Sequence, residues 1–397
     1  SSSNGLEKRP KLRFPGFDDP YRKCRIGDIY GERSQRGAGD MELLSVTMND
    51  GVMPRTEIEG KDNSSEDKSN YKVVCKGDMV YNSMRMWQGA NGVSNYDGIV
   101  SPAYTVLMPT EEIDNQYFAA LFKTSNLINE FRKNSQGLTS DTWNLKYPQI
   151  RPIRLCIPSL QEQNKISSFI GTLEERISKQ RQLVDSLKKY KRGAVRSLLS
   201  AKSCPLKNAS WTTAKMGELG YFIKGAPLSK ADISEDGTPF ILYGELYTTY
   251  NEVVTSVKRR TQAQIDETFL SRVGDVVIPT SGETPEEIST ASCVMLPDVI
   301  LAGDLNIFRG DKVDGRIMSY LLNHVVNGKI ARIAQGKSVV HIQASELCKL
   351  TLTYPDKNTQ NTIIGFLSLL DDKIMNEENL LAFLSVLKEG LLQQLFI

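Results

Sequence analysis

Apolar residues recur in steps of three and four along two stretches of this chain. Between Gln163 and Leu199 they fall at Ile166, Ile170, Leu173, Ile177, Val184, Leu187, Ala194 and Leu198. Between Gln360 and the last residue they fall at Ile363, Leu367, Leu370, Ile374, Leu381, Leu384, Leu391 and Leu395. That spacing predicts two long amphipathic helices with a coiled-coil seam. About 37 residues at about 1.5 Å each make a rod of roughly 55 Å. A seam this narrow calls for a partner helix, since a buried core helix carries a wider apolar face.

The two rods are one phrase written twice. Pro158 and Pro355 lie 197 positions apart, and at the same offset Gln163/Gln360, Asn164/Asn361, Ile166/Ile363, Phe169/Phe366, Leu173/Leu370, Ile177/Ile374, Leu187/Leu384, Gly193/Gly390 and Leu198/Leu395 are identical. Upstream the echo is fainter: "IGDIY" at Ile26 faces "MGELG" at Met216, "KGDMVY" at Lys76 faces "VGDVVI" at Val273, and "QGLT" at Gln136 faces "QGKS" at Gln335. A period this long repeats a whole domain plus helix.

Outside the rods the pattern changes to short apolar runs between turn residues, such as "YKVVCKGDMVY", "AYTVLM", "PFILYGELY" and "GDVVIP", which predict strands. One helix late in each half is predicted by "NQYFAALFKTSNLINEF" and "RIMSYLLNHVVNGKIARI". The expected class is α+β: two tandem β-rich α/β domains, residues 1–158 and 204–355, joined by two long antiparallel coiled-coil helices, residues 159–203 and 356–397, in a pseudo-twofold repeat. Charge supports pairing the rods with each other. From Gly171 to Ser200 there are eight Lys/Arg against three Asp/Glu, and from Ser368 to Ile397 two against five.

Composition excludes more than it assigns. The net charge is +2, which leaves nucleic-acid binding to local patches. Six dispersed cysteines and two histidines have no ligand-like spacing, so neither a zinc site nor a disulfide framework is expected. No apolar run is long enough for a membrane span, and the reading is of a cytosolic protein without a membrane partner.

Two rods packed antiparallel would carry their domains at opposite ends, an arrangement suited to duplex DNA, whose local twofold symmetry lets paired readers contact two separated sites. A rod of roughly 55 Å spans about 16 base pairs, so it would act as a ruler for an unread spacer. With "KLRFPGFDD" near the start, "NSMRMWQGANGVSNYDGIVSPAYTV" at Asn82, "GDVVIPTSGETPEEISTASCVML" at Gly274 and the twice-written P-x-x-x-x-Q-N leading into a rod, the chain resembles, over essentially its whole length, the DNA-specificity (S) subunit of type I restriction-modification enzymes. The resemblance implies two target-recognition domains, each reading one half of a bipartite, asymmetric site in double-stranded DNA. It implies docking of methyltransferase (M) subunits, usually two, and of restriction and motor (R) subunits, in a bacterial or archaeal cytoplasm. Adenine methylation from S-adenosylmethionine and cleavage driven by ATP, with Mg, would belong to those partners, leaving no cofactor or metal in this subunit.

The residues agree with a chain that does no chemistry of its own. No Asn/Asp-Pro-Pro-aromatic loop for a flipped base occurs. "ARIAQGKS" has Ala331 where a phosphate-binding loop needs glycine, and Gly336 reads there as a helix C-cap. A protein-binding scaffold with a coiled-coil spine, or a self-sufficient methyltransferase-nuclease, are the other classes. The first would show no sequence-dependent, salt-sensitive DNA binding, and the second would transfer methyl groups unaided.

DNA reading needs cations for phosphates and polar side chains for base edges. In the first domain the candidates are Arg33, Ser34, Gln35 and Arg36 in "GERSQRG", and Arg85, Trp87, Gln88, Asn91, Ser94 and Asn95 in "SMRMWQGANGVSN", where Gly89 and Gly92 would let the loop approach DNA. The bland reading of the second stretch is a hairpin with Trp87 packed beneath it. In the second domain they are Lys224, Ser229 and Lys230, then Tyr243 and Tyr247, which read equally as strand core, then Thr280, Ser281 and Thr284 in "PTSGET", and Lys337, Ser338 and His341 in "GKSVVHIQ". Glu283 would repel phosphate unless it accepts from a cytosine amino group. Partner docking is expected at Gln163, Asn164, Gln360 and Asn361, amides that read equally as helix caps or local turn donors.

Overall fold

The computed structural model describes residues 10–37, 40–48, 51–60, 62, 64–139, 142–334 and 340–396. It divides into two units, Ser1–Arg181 with Asn379–Ile397, and Gln182–Glu378. Each rod is a single helix, Leu160–Leu198 and Lys357–Leu395, and each contributes residues to both units.

Each domain begins and ends on one two-stranded ribbon. Arg22–Arg25 pairs antiparallel with Arg154–Ile157 in the first unit, and Trp211–Lys215 with Thr351–Pro355 in the second. The returning strand leads through Pro158 or Pro355 into its rod; in the second unit the pairing carries one step further, the Asp356 N–H donating to the Ser210 carbonyl (2.9 Å). Between the ribbon strands lies a central sheet with the same order in both units. It runs Tyr30–Glu32, Tyr104–Pro109, Met79–Asn82, Asn91–Val93 in the first unit. In the second it runs Tyr221–Lys224, Leu305–Arg309, Asp275–Pro279, Ser292–Val294, with Val253–Val254 added at the edge. The strand-rich reading of the domains thus corresponds to one repeated four-stranded antiparallel sheet with smaller two- and three-stranded sheets beside it.

The helix expected late in each half is a pair of helices instead: Asn115–Leu121 with Ser125–Asn134, and Gly315–His324 with Asn327–Ile333. The apolar period runs through both members because each buries a face against the same core. In the first unit Tyr117, Phe118, Leu127 and Phe131 share a cluster with Ile166 and Ile170 of the first rod and Leu395 and Phe396 of the second. In the second unit Ile317, Leu321 and Ile330 share one with Val195, Leu199, Ile363, Ile364 and Leu367.

Within each unit the rod segments run antiparallel. In the first unit Ile166 and Ile170 lie with Leu395, and further along Glu174 meets Lys388 Nζ at 2.6 Å. In the second, Lys188 meets Glu378 and Lys191 meets Asp371, each at 2.5 Å. Two of these pairs follow the charge asymmetry of the rods. The third runs the other way, and it repeats the Lys191–Asp371 pair at the 197-residue offset: Lys388 matches Lys191, and Glu174 matches Asp371.

Candidate nucleic-acid interface

A frame common to both units positions the candidate contacts. The aspartates of the two Gly-Asp echoes, Asp78 and Asp275, are buried and do the same work. Asp78 accepts the N–H of Cys75 (2.8 Å) and the guanidinium of Arg33 (2.7 and 3.0 Å). Asp275 accepts the N–H of Arg272 (2.8 Å) and the guanidinium of Arg309 (3.0 Å). The arginines come from different places in the sheet: Arg33 follows Tyr30–Glu32, one strand removed from Met79–Asn82, and Arg309 ends Leu305–Arg309, next to Asp275–Pro279. A buried carboxylate without its cation costs several kcal/mol. The expectation that Arg33 contacts DNA is therefore corrected: its guanidinium is committed to Asp78.

The twice-written Gln is a second shared device. Gln163 Oε1 accepts the backbone N–H of Asp114 (3.1 Å) while its Nε2 donates to the carbonyl of Pro158 (3.0 Å). Gln360 repeats this with the N–H of Asp314 (2.9 Å) and the carbonyl of Pro355 (2.8 Å). Asp114 and Asp314 are themselves the N-caps of Asn115–Leu121 and Gly315–His324. Each Gln straps the start of a rod to the start of a domain helix. Both are buried, at 3% and 1% exposure, so the docking expectation for Gln163 and Gln360 is corrected. Asn164 and Asn361 next to them are exposed.

Beyond Met79–Asn82 and Asp275–Pro279 the candidate loop of each domain is knitted to a later segment at matched positions: in the second unit to the candidate "GKSVVHIQ" segment, in the first to a segment around Leu145 that was not among the candidates. Leu145 N–H donates to the carbonyl of Ser83 (2.8 Å), and Ile342 N–H to that of Thr280 (3.0 Å). Ser83 N–H in turn donates to Ala103 (3.1 Å) and Thr280 N–H to Asp304 (2.8 Å). Both members of the first two pairs sit 197 positions from their counterparts. The geometry thus builds an edge in each unit from the loop after the central strand and the segment that precedes the return to the rod.

The first edge is cationic and aromatic. Met86–Gln88 forms a 3-10 turn closed by Gly89 at φ +84°, a conformation glycine adopts without strain. Arg85 is exposed; Trp87 and Gln88 are half-buried. Trp87 donates its indole N–H to the Met84 carbonyl (3.0 Å) and meets Trp143 edge-on at 5.2 Å, with the Arg132 guanidinium 5.9 Å from each ring. Arg132 and Trp143 escaped the sequence reading. A tryptophan four residues after the "QGLT" echo segment was the available signal.

Several candidates fall away from this edge. Asn91 is fully buried, with its Nδ2 donating to Gly89 (3.1 Å), and Ser94 is 1% exposed, its hydroxyl donating to Tyr96 (2.7 Å). Neither reaches solvent, so both are corrected as DNA contacts. Asn95 is exposed but sits at the Asp78 end of the hairpin, the end opposite Ser83. Gly92 serves packing: a Cβ there would lie 2.7 Å from the Gly51 backbone. Ser34 and Arg36 are exposed, with the Arg36 guanidinium donating to the Asn70 carbonyl (2.6 Å).

The second edge is polar and mixed in sign. Ser281–Gly282 pairs with Val340–His341, leaving His341 exposed. Ser281 is 6% exposed and its hydroxyl donates to Asp304 (3.0 Å), which corrects its expected direct contact. Thr284 is exposed and its hydroxyl accepts the N–H of Glu287 (3.2 Å), while Thr280 is half-buried. Lys224 is exposed and pairs through Asn306 to Ile278, at the Thr280 end of the sheet. Lys230, Ser229, Tyr243 and Tyr247 line a cleft of about 660 Å³ that Asp304 also borders. Both tyrosines are half-buried rather than core. Lys337, Ser338 and the Gly336 cap lie outside the described residues.

The second unit also contains a buried charge hub. Lys191 Nζ meets Glu252 (2.7 Å) and Asp371, His324 Nε2 meets Glu252 (2.6 Å), and Tyr320 donates to Asp371 (2.7 Å). Burial raises the Glu252 carboxyl, but the His324 hydrogen bond and the Lys191 charge outweigh it and hold it down at about 2. No group of His, Cys, Asp and Glu among the described residues could hold a metal ion, and no helix there is long and apolar enough to cross a membrane.

Comparison with known proteins bears on this duplicated frame. The sequence matches the family described as Type I restriction modification DNA specificity domain twice, over residues 25–188 and 208–384, well over half of the chain. No curated protein matches it significantly. Its fold is similar to the crystal structure of the type I restriction-modification system S subunit from M. genitalium, at 14% identity and TM-score 0.61, covering 98% of this chain and 99% of the other. It is also similar to a chain from a structural study of complex assembly and conformational transition of the type I R-M system, at 16% identity and TM-score 0.59, covering 97% and 99%. The chain therefore belongs to the type I restriction modification DNA specificity family, whose members are the non-catalytic DNA-recognition subunits of these systems.

Proposed function

We propose that each domain of this chain reads one half of a bipartite, asymmetric site in double-stranded DNA through its knitted edge, and that the rods set the spacer and dock two methyltransferase subunits. The observation that carries this reading is the repeat of one edge geometry with unlike side chains. Arg85, Trp87 and Gln88 stand on the first edge; Thr280, Thr284 and His341 stand on the second, with Lys224 and Lys230 beside it as phosphate contacts. Similar rods offer similar exposed surfaces, including Asn164 and Asn361, to two copies of one partner.

Adenine methylation from S-adenosylmethionine, and restriction driven by ATP with Mg, then belong to the methyltransferase and restriction subunits in a bacterial or archaeal cytoplasm. Ser34, Arg36 and Asn95 are retained as peripheral phosphate contacts, and Lys337 as a contact of the "GKSVVH" segment.

The rods supply the test. Each spans 39 residues, about 58 Å of helix. One heptad inserted into both rods, after Arg181 and after Glu378, adds about 10 Å, or about three base pairs. Mapping modified bases in cells that carry the methyltransferase partner is expected to show both half-sites intact around a spacer lengthened by about three pairs. A spacer of unchanged length contradicts the ruler.

A further inference from the structure

The second edge carries a carboxylate where the first carries none. Asp304 and Ala103 accept the matched backbone hydrogen bonds from Thr280 and Ser83. Ala103 and Asp304 are both exposed. The Asp304 Oδ2 accepts the Ser281 hydroxyl at 3.0 Å, and no described hydrogen bond engages Oδ1. Gly303, at φ +75°, makes the turn that brings this residue to the edge.

The surroundings of Asp304 are built for a flat, polar ligand. The cleft of about 660 Å³ beside it is walled by Tyr243 and Tyr247 and carries Lys230 and Arg259. Arg259 is committed to Glu245 (2.9 Å), whose carboxylate also accepts the N–H of Leu242 (3.0 Å). Lys230 enters no described ion pair, which leaves it for a phosphate.

A carboxylate only accepts hydrogen bonds, and it repels phosphates and the acceptor edges of bases. On duplex DNA its partners are the exocyclic amino groups: cytosine N4 and adenine N6 in the major groove, guanine N2 in the minor. We propose that Asp304 is a specificity-determining residue of the second domain, selecting a base that presents an amino group, with Lys230 and Lys224 anchoring the adjoining phosphates. This rests on the reading of the knitted edges as the DNA-contacting surface.

The test uses the full chain in complex with its methyltransferase partner, with binding measured on duplexes carrying every single-base substitution in the site. Asp304→Asn and Asp304→Ala are expected to relax discrimination at one base pair of one half-site by about tenfold or more, leaving the other half-site and the spacer unchanged. Asn keeps an acceptor for Ser281, so the fold is maintained. Ala103→Asp, on an exposed position of the first edge, is expected to create a new preference for an amino-bearing base in the other half-site. Unaltered discrimination in all three variants overturns the assignment while leaving a bipartite site intact. Weakening by one factor at every position overturns it too, because that is the signature of a structural role.

Discussion

Ser83 and Thr280 occupy the same place in their respective units, make the same two backbone hydrogen bonds and end the same strand of the same sheet. The turns after them share nothing: an Arg-Met-Trp-Gln turn braced on Trp143 in one unit, a Gly-Glu-Thr-Pro turn paired to Val340–His341 in the other. Two kinds of constraint act at different places. Positions that hold domain to rod or rod to rod recur with their partners, as in Gln163/Gln360 and Lys388/Lys191. Positions on the edge are free of such partners, so their side chains can differ between the two units without cost to the frame.

The shared devices are not equally burdened, and that inequality can be measured. The largest effect is expected at the Gly-Asp aspartates. Arg309 is 8% exposed and removing it strands Asp275, so Arg309→Ala should cost about 3–5 kcal/mol. Arg33 has a side chain 22% exposed, so Arg33→Ala should cost roughly half as much. Denaturant unfolding of the full chain, with hydrogen exchange to assign the loss to one unit, checks the ranking; equal costs would show that exposure does not separate the two units.

Next come the straps. Gln163→Ala and Gln360→Ala each leave a half-buried N–H and a buried carbonyl without a partner, worth about 2–4 kcal/mol together. Hydrogen exchange should quicken first in Asn115–Leu121 for one variant and in Gly315–His324 for the other. Exchange unchanged in those helices would assign the repeated Gln elsewhere, to the docking surface first expected of it.

The smallest stability effects separate the repeated ion pair. Lys388 meets Glu174 near solvent, and Lys388→Met should cost under about 1 kcal/mol. Lys191 is buried between Glu252 and Asp371, so Lys191→Met should cost more and should change the acid response. Glu252 titrates at about 2 when folded against an ordinary value of 4.5. A lowered folded value contributes stability above the ordinary range and loses it as pH falls from about 4.5 towards 2. Exchange protection of the second unit should decline through that window, and Lys191→Met should weaken the dependence. A profile indifferent to the substitution would remove Lys191 from the hub.

Much of this architecture was legible in the one-dimensional pattern, because rods and repeats are written in local periodicity. The seam, the 197-residue offset and the favourable pairing of rod charges are all consequences of it. The side-chain roles were not legible, because their partners are distant. Arg33 reads as a surface cation until Asp78, 45 positions on, takes it up. Gln163 reads as an exposed amide until Asp114 approaches from 49 positions upstream. Asn91 and Ser94 have the composition of a contact loop, but the hairpin turns them inward. Both segments of the second edge and one of the first were visible as candidates; that each pair is stitched together, and that Arg132, Trp143 and Asp304 join them, only the fold reveals.

The central claim is that the two edges read independently. The most direct measurement is a map of modified bases made with the Arg85→Ala, Gln88→Ala double variant, both positions lying on the first edge and outside the frame. The account predicts altered base preference confined to one half-site, with the other half-site and the spacer unchanged. Altered preference in both half-sites, or in neither, would contradict it.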